Sequence, residues 1–178
     1  VYDVIVSASD GVFTDTQALA VTVNNVDEGV TITGTSANNT ISTTVSVNGQ
    51  PRATNFADVI FGLGGNDVIS AGGGADVIDG GTGNDNLSGQ AGADWLTGGA
   101  GRDTFTYASV SETTTGASDV INDFSKSQLD RISLSAIDAN SNLSGNQAFS
   151  FVGTGAFTNT AGQLHYSQQN GKTFVSGD

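Results

Sequence analysis

The chain has 178 residues, 25 of them glycine, and 18 acidic against 5 basic side chains give it a net charge of −13. It holds no cysteine, no methionine and one histidine, which excludes disulfides, thiolate metal sites, cysteine nucleophiles and multi-histidine centres. The charge has the wrong sign for nucleic acid or an anionic membrane and favours cations, and no apolar run reaches the ~18 residues of a membrane span. A start at Val1 without the layout of a signal peptide reads as a fragment or a processed product.

Residues 1–29, VYDVIVSASDGVFTDTQALAVTVNNVDEG, alternate apolar and polar side chains on either side of Asp10-Gly11. That pattern predicts two antiparallel strands. The segment resembles the tail of a cadherin-like or Ig-like repeat of large bacterial surface proteins. A lone hairpin is marginal in water, so this one is expected to pack on the rest of the chain or to be poorly ordered. Asp27 and Glu28 read as an acidic linker.

From residue 53 the chain falls into blocks of nine: ATNFADVIF (53–61), GLGGNDVIS (62–70), AGGGADVID (71–79), GGTGNDNLS (80–88), GQAGADWLT (89–97) and GGAGRDTFT (98–106). The sixth place is always aspartate: Asp58, Asp67, Asp76, Asp85, Asp94 and Asp103. The eighth is always large and apolar, and the fourth is glycine in five blocks (Gly65, Gly74, Gly83, Gly92, Gly101). Upstream, GTSANNTIS (34–42) fits the same template with Asn39 in the acidic slot, before an insert at 43–52 breaks the phase. It reads as an ion-free turn capping the array, because terminal repeats are commonly atypical.

Glycines make the first half of each block a turn. The second half is a strand too short to do more than send its eighth side chain inward. Short strands joined by tight turns at constant period wind into a solenoid. With two blocks per circuit, strands eighteen residues apart stack about 4.8 Å from one another. Asp58, Asp76 and Asp94 then form one column, and Asp67, Asp85 and Asp103 another. Stacked carboxylates repel, and Arg102 is the only basic side chain within the blocks. A hard divalent cation with oxygen ligands resolves the conflict, and Ca²⁺ tolerates the flexible geometry of glycine-rich turns better than Mg²⁺. One buried apolar residue in nine is a thin core, so the array is expected to fold on binding its ions.

These blocks resemble the calcium-binding nonapeptide of RTX (repeats-in-toxin) proteins, G-G-x-G-x-D-x-U-x. The resemblance implies an all-β fold, a parallel β-roll with calcium held between its turns. The ligands it implies are the six aspartates, the second-place glycines Gly72, Gly81 and Gly99, and the fourth-place glycines. Leu63 and Gln90 replace glycine at the second place, Ala53 and Ala71 at the first. About five or six ions suit the pairings, each at the weak affinity of extracellular sites.

Residues 102–139 resemble the region that follows the roll in serralysin-type secreted metalloproteases, and also the calcium-binding modules of secreted polysaccharide epimerases. There Glu112 and Asp119 are implied to complete the last sites, with Asp123 in a turn or capping role. The roll is thus expected over 30–107 and an antiparallel C-terminal β subdomain over 108–178. Within the latter, QLHYS (163–167) and KTFVSG (172–177) flank Asn170-Gly171, a strong hairpin signal. The chain stops where that family usually continues for another strand or two.

Asp79 reads as a solvated strand residue and His165 as structural. Trp95 is expected to face away from the roll core. No nucleophile elbow, H-E-x-x-H or P-loop occurs, so no catalysis is expected of this chain. The reading is a calcium-binding module of a large secreted, adhesin-like bacterial surface protein, passed through the type I secretion machinery unfolded and folding on extracellular calcium. Two alternatives stand beside it: the accessory module of a secreted protease, lipase or epimerase, and a module binding a cell-surface glycan or protein through Trp95 or the C-terminal sheet.

Overall fold

A computed structural model describes residues 8–9, 14–15, 28–114 and 116–177. Two-residue strands β1 (Ala8–Ser9) and β2 (Thr14–Asp15) pair antiparallel. Asp10-Gly11 and the rest of the hairpin expected at the N-terminus lie outside the described residues, as does any test of its cadherin-like character.

The next ten strands come in pairs, one pair per circuit of the chain. They are β3 (Thr31–Thr35) and β4 (Thr40–Ile41), β5 (Val59–Leu63) and β6 (Val68–Ser70), β7 (Val77–Thr82) and β8 (Asn86–Ser88), β9 (Trp95–Ala100) and β10 (Thr104–Thr106), and β11 (Val120–Ile121) and β12 (Arg131–Ser133). The first strand of each pair belongs to one five-stranded parallel sheet and the second to another. Val59 pairs with Val77 and Val77 with Trp95, while Val68 pairs with Asn86 and Asn86 with Thr104. Every step is eighteen residues, two blocks of nine, and the fold is a parallel β-roll. Between the first two circuits the ten-residue insert at 43–52 lengthens the step: Thr31 pairs with Val59 and Thr40 with Val68.

The eighth side chains of the blocks fill the space between the sheets. Ile60, Ile69, Ile78, Leu87, Leu96 and Phe105 are at most 1% exposed, as are Ile32 and Ile41 of the first circuit. Seventh-place side chains point the other way, as the two-residue period of a strand requires. Val68, Val77 and Trp95 are accordingly exposed, Trp95 lying in register between Val77 and Val120.

The roll extends past 107. β11 and β12 add a fifth strand to each sheet, at steps of 25 and 27 residues (Trp95 to Val120, Thr104 to Arg131), because the connections around them are longer than a block. Ala117-Ser118-Asp119-Val120-Ile121 continues the Asp-Val-Ile pattern out of phase. Phe124 closes over Phe105 at the end of the core, ring centroids 6.3 Å apart.

Beyond the roll lies a three-stranded mixed sheet of β13 (Ser150–Phe151), β14 (Gln163–Gln169) and β15 (Lys172–Gly177). β14 and β15 form the expected hairpin. Its two-residue turn, Asn170 (φ 52°) and Gly171 (φ 75°), has the two positive φ angles that match the strand twist. His165 packs on Phe157 at 5.2 Å and Tyr166 stacks on Phe151 at 5.7 Å. Among the described residues there is no helix.

The two faces of a roll strand should respond differently to truncation. Ile78→Ala opens a cavity in a one-side-chain-wide core and should cost about 2–5 kcal/mol in denaturant unfolding. Val77→Ala, half exposed, should cost under about 1 kcal/mol. Equal losses would contradict the assigned register.

Candidate metal centre

Each sixth-place aspartate sits where a turn enters a strand, a glycine turn for all but Asp58, and its carboxylate is folded back into the roll. In one column, Val30 N–H donates to Asp58 Oδ1 (2.7 Å), Asp58 N–H to Asp76 Oδ1 (2.7 Å), Asp76 N–H to Asp94 Oδ1 (2.9 Å) and Asp94 N–H to Asp119 Oδ1 (3.0 Å). In the other, Asn39 N–H donates to Asp67 Oδ1 (2.6 Å), Asp67 N–H to Asp85 Oδ1 (2.8 Å), Asp85 N–H to Asp103 Oδ1 (2.9 Å) and Asp103 N–H to Asp130 Oδ1 (3.0 Å). Each carboxylate thus ties its own coil to the one before it.

In six of these acids the second oxygen has no such partner. Asp67, Asp76, Asp85, Asp94 and Asp103 are at most 2% exposed, and the Oδ2 of each, together with that of Asp119, is buried without a hydrogen bond. An orphaned buried charged oxygen costs more than the ~1–3 kcal/mol of a neutral one. Six of them in two columns make a conflict the protein alone leaves open.

The turns leave room for nothing larger than glycine at their closest approaches. A Cβ on Gly83 would fall on the carbonyl oxygen of Gly65, and one on Gly101 on that of Gly83. At the first place, a Cβ on Gly80 would come within 2.6 Å of Asp85 Oδ2. The second- and fourth-place residues of these turns take positive φ: Gly72, Gly81 and Gly99, then Gly65, Gly74, Gly83, Gly92 and Gly101. Leu63 (φ 74°) and Gln90 (φ 65°) keep the same conformation with a side chain, at a cost of about 1–2 kcal/mol each.

Electrostatics follow from this crowding. Burial pushes the Asp76 carboxyl up to about 7, the charges of Asp94 and Asp58 add to it, and the N–H of Asp58 opposes it. Asp119 is raised to about 6, chiefly by burial and then by Asp94 and Glu112. Asp67, Asp85, Asp94 and Asp103 shift upward for the same first cause. Tyr107 is also pushed up, by burial first and then by the charge of Asp119. The donor set suits a hard cation: anionic oxygens, no sulfur and no imidazole. Among the described residues no three Asp, Glu, His or Cys side chains gather at one point. A cation held by these carboxylates would therefore need main-chain carbonyls as further ligands, which Ca²⁺ accepts.

Three acids are placed differently from their period-based expectation. Asp58 has both oxygens supplied: Oδ2 accepts from Thr54 N–H (2.7 Å), and Oδ1 from Thr54 Oγ1 (2.9 Å) as well as from Val30. Glu112 Oε2 accepts from Ala108 N–H (3.0 Å). Asp130, three nine-residue steps beyond Asp103 across blocks that break the pattern, is the last rung of the second column and takes Ser125 N–H at 2.7 Å. Asp123 holds the turn at Gly98 and Gly99, whose N–H groups reach its two oxygens at 2.9 and 2.7 Å. A second regularity also escaped the period. The fifth place alternates between Asn66 or Asn84 and Ala75 or Ala93, because one side of the roll carries an asparagine ladder. Asn66 N–H donates to Asn38 Oδ1, Asn84 N–H to Asn66 Oδ1 and Arg102 N–H to Asn84 Oδ1, at 2.7, 2.7 and 2.8 Å.

The family described as Peptidase M10 serralysin C terminal matches the chain over residues 15–175. Among solved structures, the solution structure of the AlgE6R3 subunit from the Azotobacter vinelandii mannuronan C5-epimerase is similar at 28% identity, with a TM-score of 0.27, over 68% of this chain. This chain covers 59% of that one's length. No curated protein matches.

The raised carboxyls set a pH dependence. Without ions, Asp76 (about 7) and Asp119 (about 6) hold protons in the folded state that the unfolded chain, near 3.8, has released. The stability this contributes is complete below pH 3.8 and is lost as pH rises through about 6 to 7. Chelated protein should therefore gain β-sheet circular dichroism when acidified from about pH 8 to about pH 5. Calcium affinity should fall over the same range, because protons and the cation compete for the same oxygens. Loss of β signal in the chelated protein on acidification would contradict this origin of the shifts.

Proposed function

We propose that the chain, which belongs to the peptidase M10 serralysin C-terminal family, is a calcium-binding RTX module of a secreted protein whose roll folds when extracellular calcium arrives. The observation that carries this is the set of six buried, unpartnered Oδ2 atoms of Asp67, Asp76, Asp85, Asp94, Asp103 and Asp119. Bound calcium would supply the positive charge that these carboxylates lack. Their Oδ2 atoms and the carbonyls of the glycine turns would hold it, while Oδ1 keeps each coil hydrogen-bonded to the one before.

Low calcium leaves each coil to carry its own uncompensated buried charge, and the apolar side chain per block does not offset that. High calcium joins neighbouring coils at each rung, so the transition is cooperative. Such a switch suits export through a type I secretion channel, which passes an unfolded chain, followed by folding outside. Family membership and the absence of a catalytic constellation from the sequence favour an accessory role beside another domain. The adhesin-like parent and the enzyme parent would be told apart by the domain that this module accompanies.

Chelation at neutral pH should abolish most of the β-sheet circular dichroism, and millimolar Ca²⁺ should restore it cooperatively, whereas a spectrum indifferent to chelator would overturn the proposal. Asp85→Ala, which removes a mid-column rung, should raise the calcium midpoint more than Asp79→Ala, whose side chain stands in the ninth place; equal midpoints would contradict the assignment.

A further inference from the structure

The sixth-place acids divide into two classes by what the second place of their turn does. In the turns ending at Asp67, Asp76, Asp85, Asp94 and Asp103, the second residue (Leu63, Gly72, Gly81, Gln90, Gly99) has φ between 65° and 108°, and the acid's Oδ2 is left without a donor. In the turns ending at Asn39, Asp58 and Glu112, the second residue (Thr35, Thr54, Ala108) lies outside the left-handed region. Its N–H then reaches the acid-slot side chain, at 2.7, 2.7 and 3.0 Å. Reversing φ turns the residue's N–H toward or away from the carboxylate. In the first two closed turns a threonine hydroxyl also takes the fourth-place N–H, Thr35 from Ala37 (3.1 Å) and Thr54 from Phe56 (3.0 Å).

We infer that the main-chain N–H of the second place, rather than the acid at the sixth, decides which turns take a cation, and that the turns at 34–39, 53–58 and 107–112 are closed by their own backbone and take none. Asp58 is then a structural acceptor although it stands in perfect register with the ligands. The hydrogen bond from Thr54 occupies the oxygen that a cation occupies in the open turns. Asn39 shows that this closed arrangement needs no charge: its Oδ1 accepts Thr35 N–H, and its Nδ2 donates to Thr35 Oγ1 at 2.9 Å. An asparagine at position 58 has the same threonine partner, Thr54, four residues before it. This inference rests on the calcium reading above and narrows it to particular turns.

The test counts calcium ions per chain by native mass spectrometry and equilibrium dialysis at saturating Ca²⁺, with circular dichroism of the same samples. Asp58→Asn should keep the wild-type ion count and shift the calcium midpoint less than twofold. Asp76→Asn, one rung further, should lose at least one ion. The double variant Thr54→Gly, Phe56→Gly, which frees the turn to take positive φ, should gain one ion while keeping the β signal. If Asp58→Asn loses as many ions as Asp76→Asn, or if the double variant folds and gains none, the inference is overturned while the calcium reading stands. A wild-type chain that binds no calcium overturns both.

Discussion

A carboxylate has two oxygens, and in this roll they have separate tasks. One accepts the N–H of the preceding aspartate and holds two coils in register; the other is buried beside it with no donor in reach. The first task needs the side chain folded inward, and folding it inward strands the second oxygen. Everything else in the roll accommodates that constraint. Glycine at the first place leaves space beside Oδ2, glycines at the second and fourth let stacked main chains approach, and the strands are shortened until a single apolar side chain per block remains to fill the interior. The roll has a narrow hydrophobic core and buried acidic oxygens that its own residues leave unpartnered.

At three acids the same constraint is relaxed. Thr54 supplies Asp58, Ala108 supplies Glu112 and Ser125 supplies Asp130, each with a main-chain N–H. On the proposed reading, the cation-dependent rungs follow the self-sufficient turns at Asn39 and Asp58 and precede Asp130 in the second column, while the first column ends on Asp119 with its Oδ2 unpartnered. Terminal repeats of a solenoid lack a neighbour on one side, and here the first turns, at Asn39 and Asp58, need nothing added. On the outer surface the asparagine ladder stiffens only one of the two turn columns, Ala75 and Ala93 taking its place on the other. Equivalent blocks in sequence are thus paired into inequivalent sides in space.

Much of this is legible in the residues. The eighteen-residue stacking, the division of the aspartates into two columns and the inward eighth place all follow from a period of nine and a strand that alternates. Asp130 is legible only in part: it stands 27 residues, three periods, beyond Asp103 with Ile132 in the eighth place, but Ile121 fills the acid slot between them and breaks the array. The period alone ends the roll too early, at 107, for the same reason. Asp58 is the opposite case, on period in sequence yet supplied by its own turn in space. The clue is the loss of glycine at both Thr54 and Phe56, but it is ambiguous by itself, since Leu63 and Gln90 also lack glycine and still take positive φ. Main-chain handedness at a non-glycine position is decided by the stacked neighbour, and that is a property of the fold.

The account stands on buried charge that only an added cation can compensate, so the most direct test is the size of the chain with the cation withheld. Small-angle scattering in chelator at neutral pH should give a radius of gyration far above the ~16 Å of a compact chain of this length, toward the ~45 Å of an unfolded one, and millimolar calcium should collapse it toward the compact value. A compact radius that chelator leaves unchanged would contradict it.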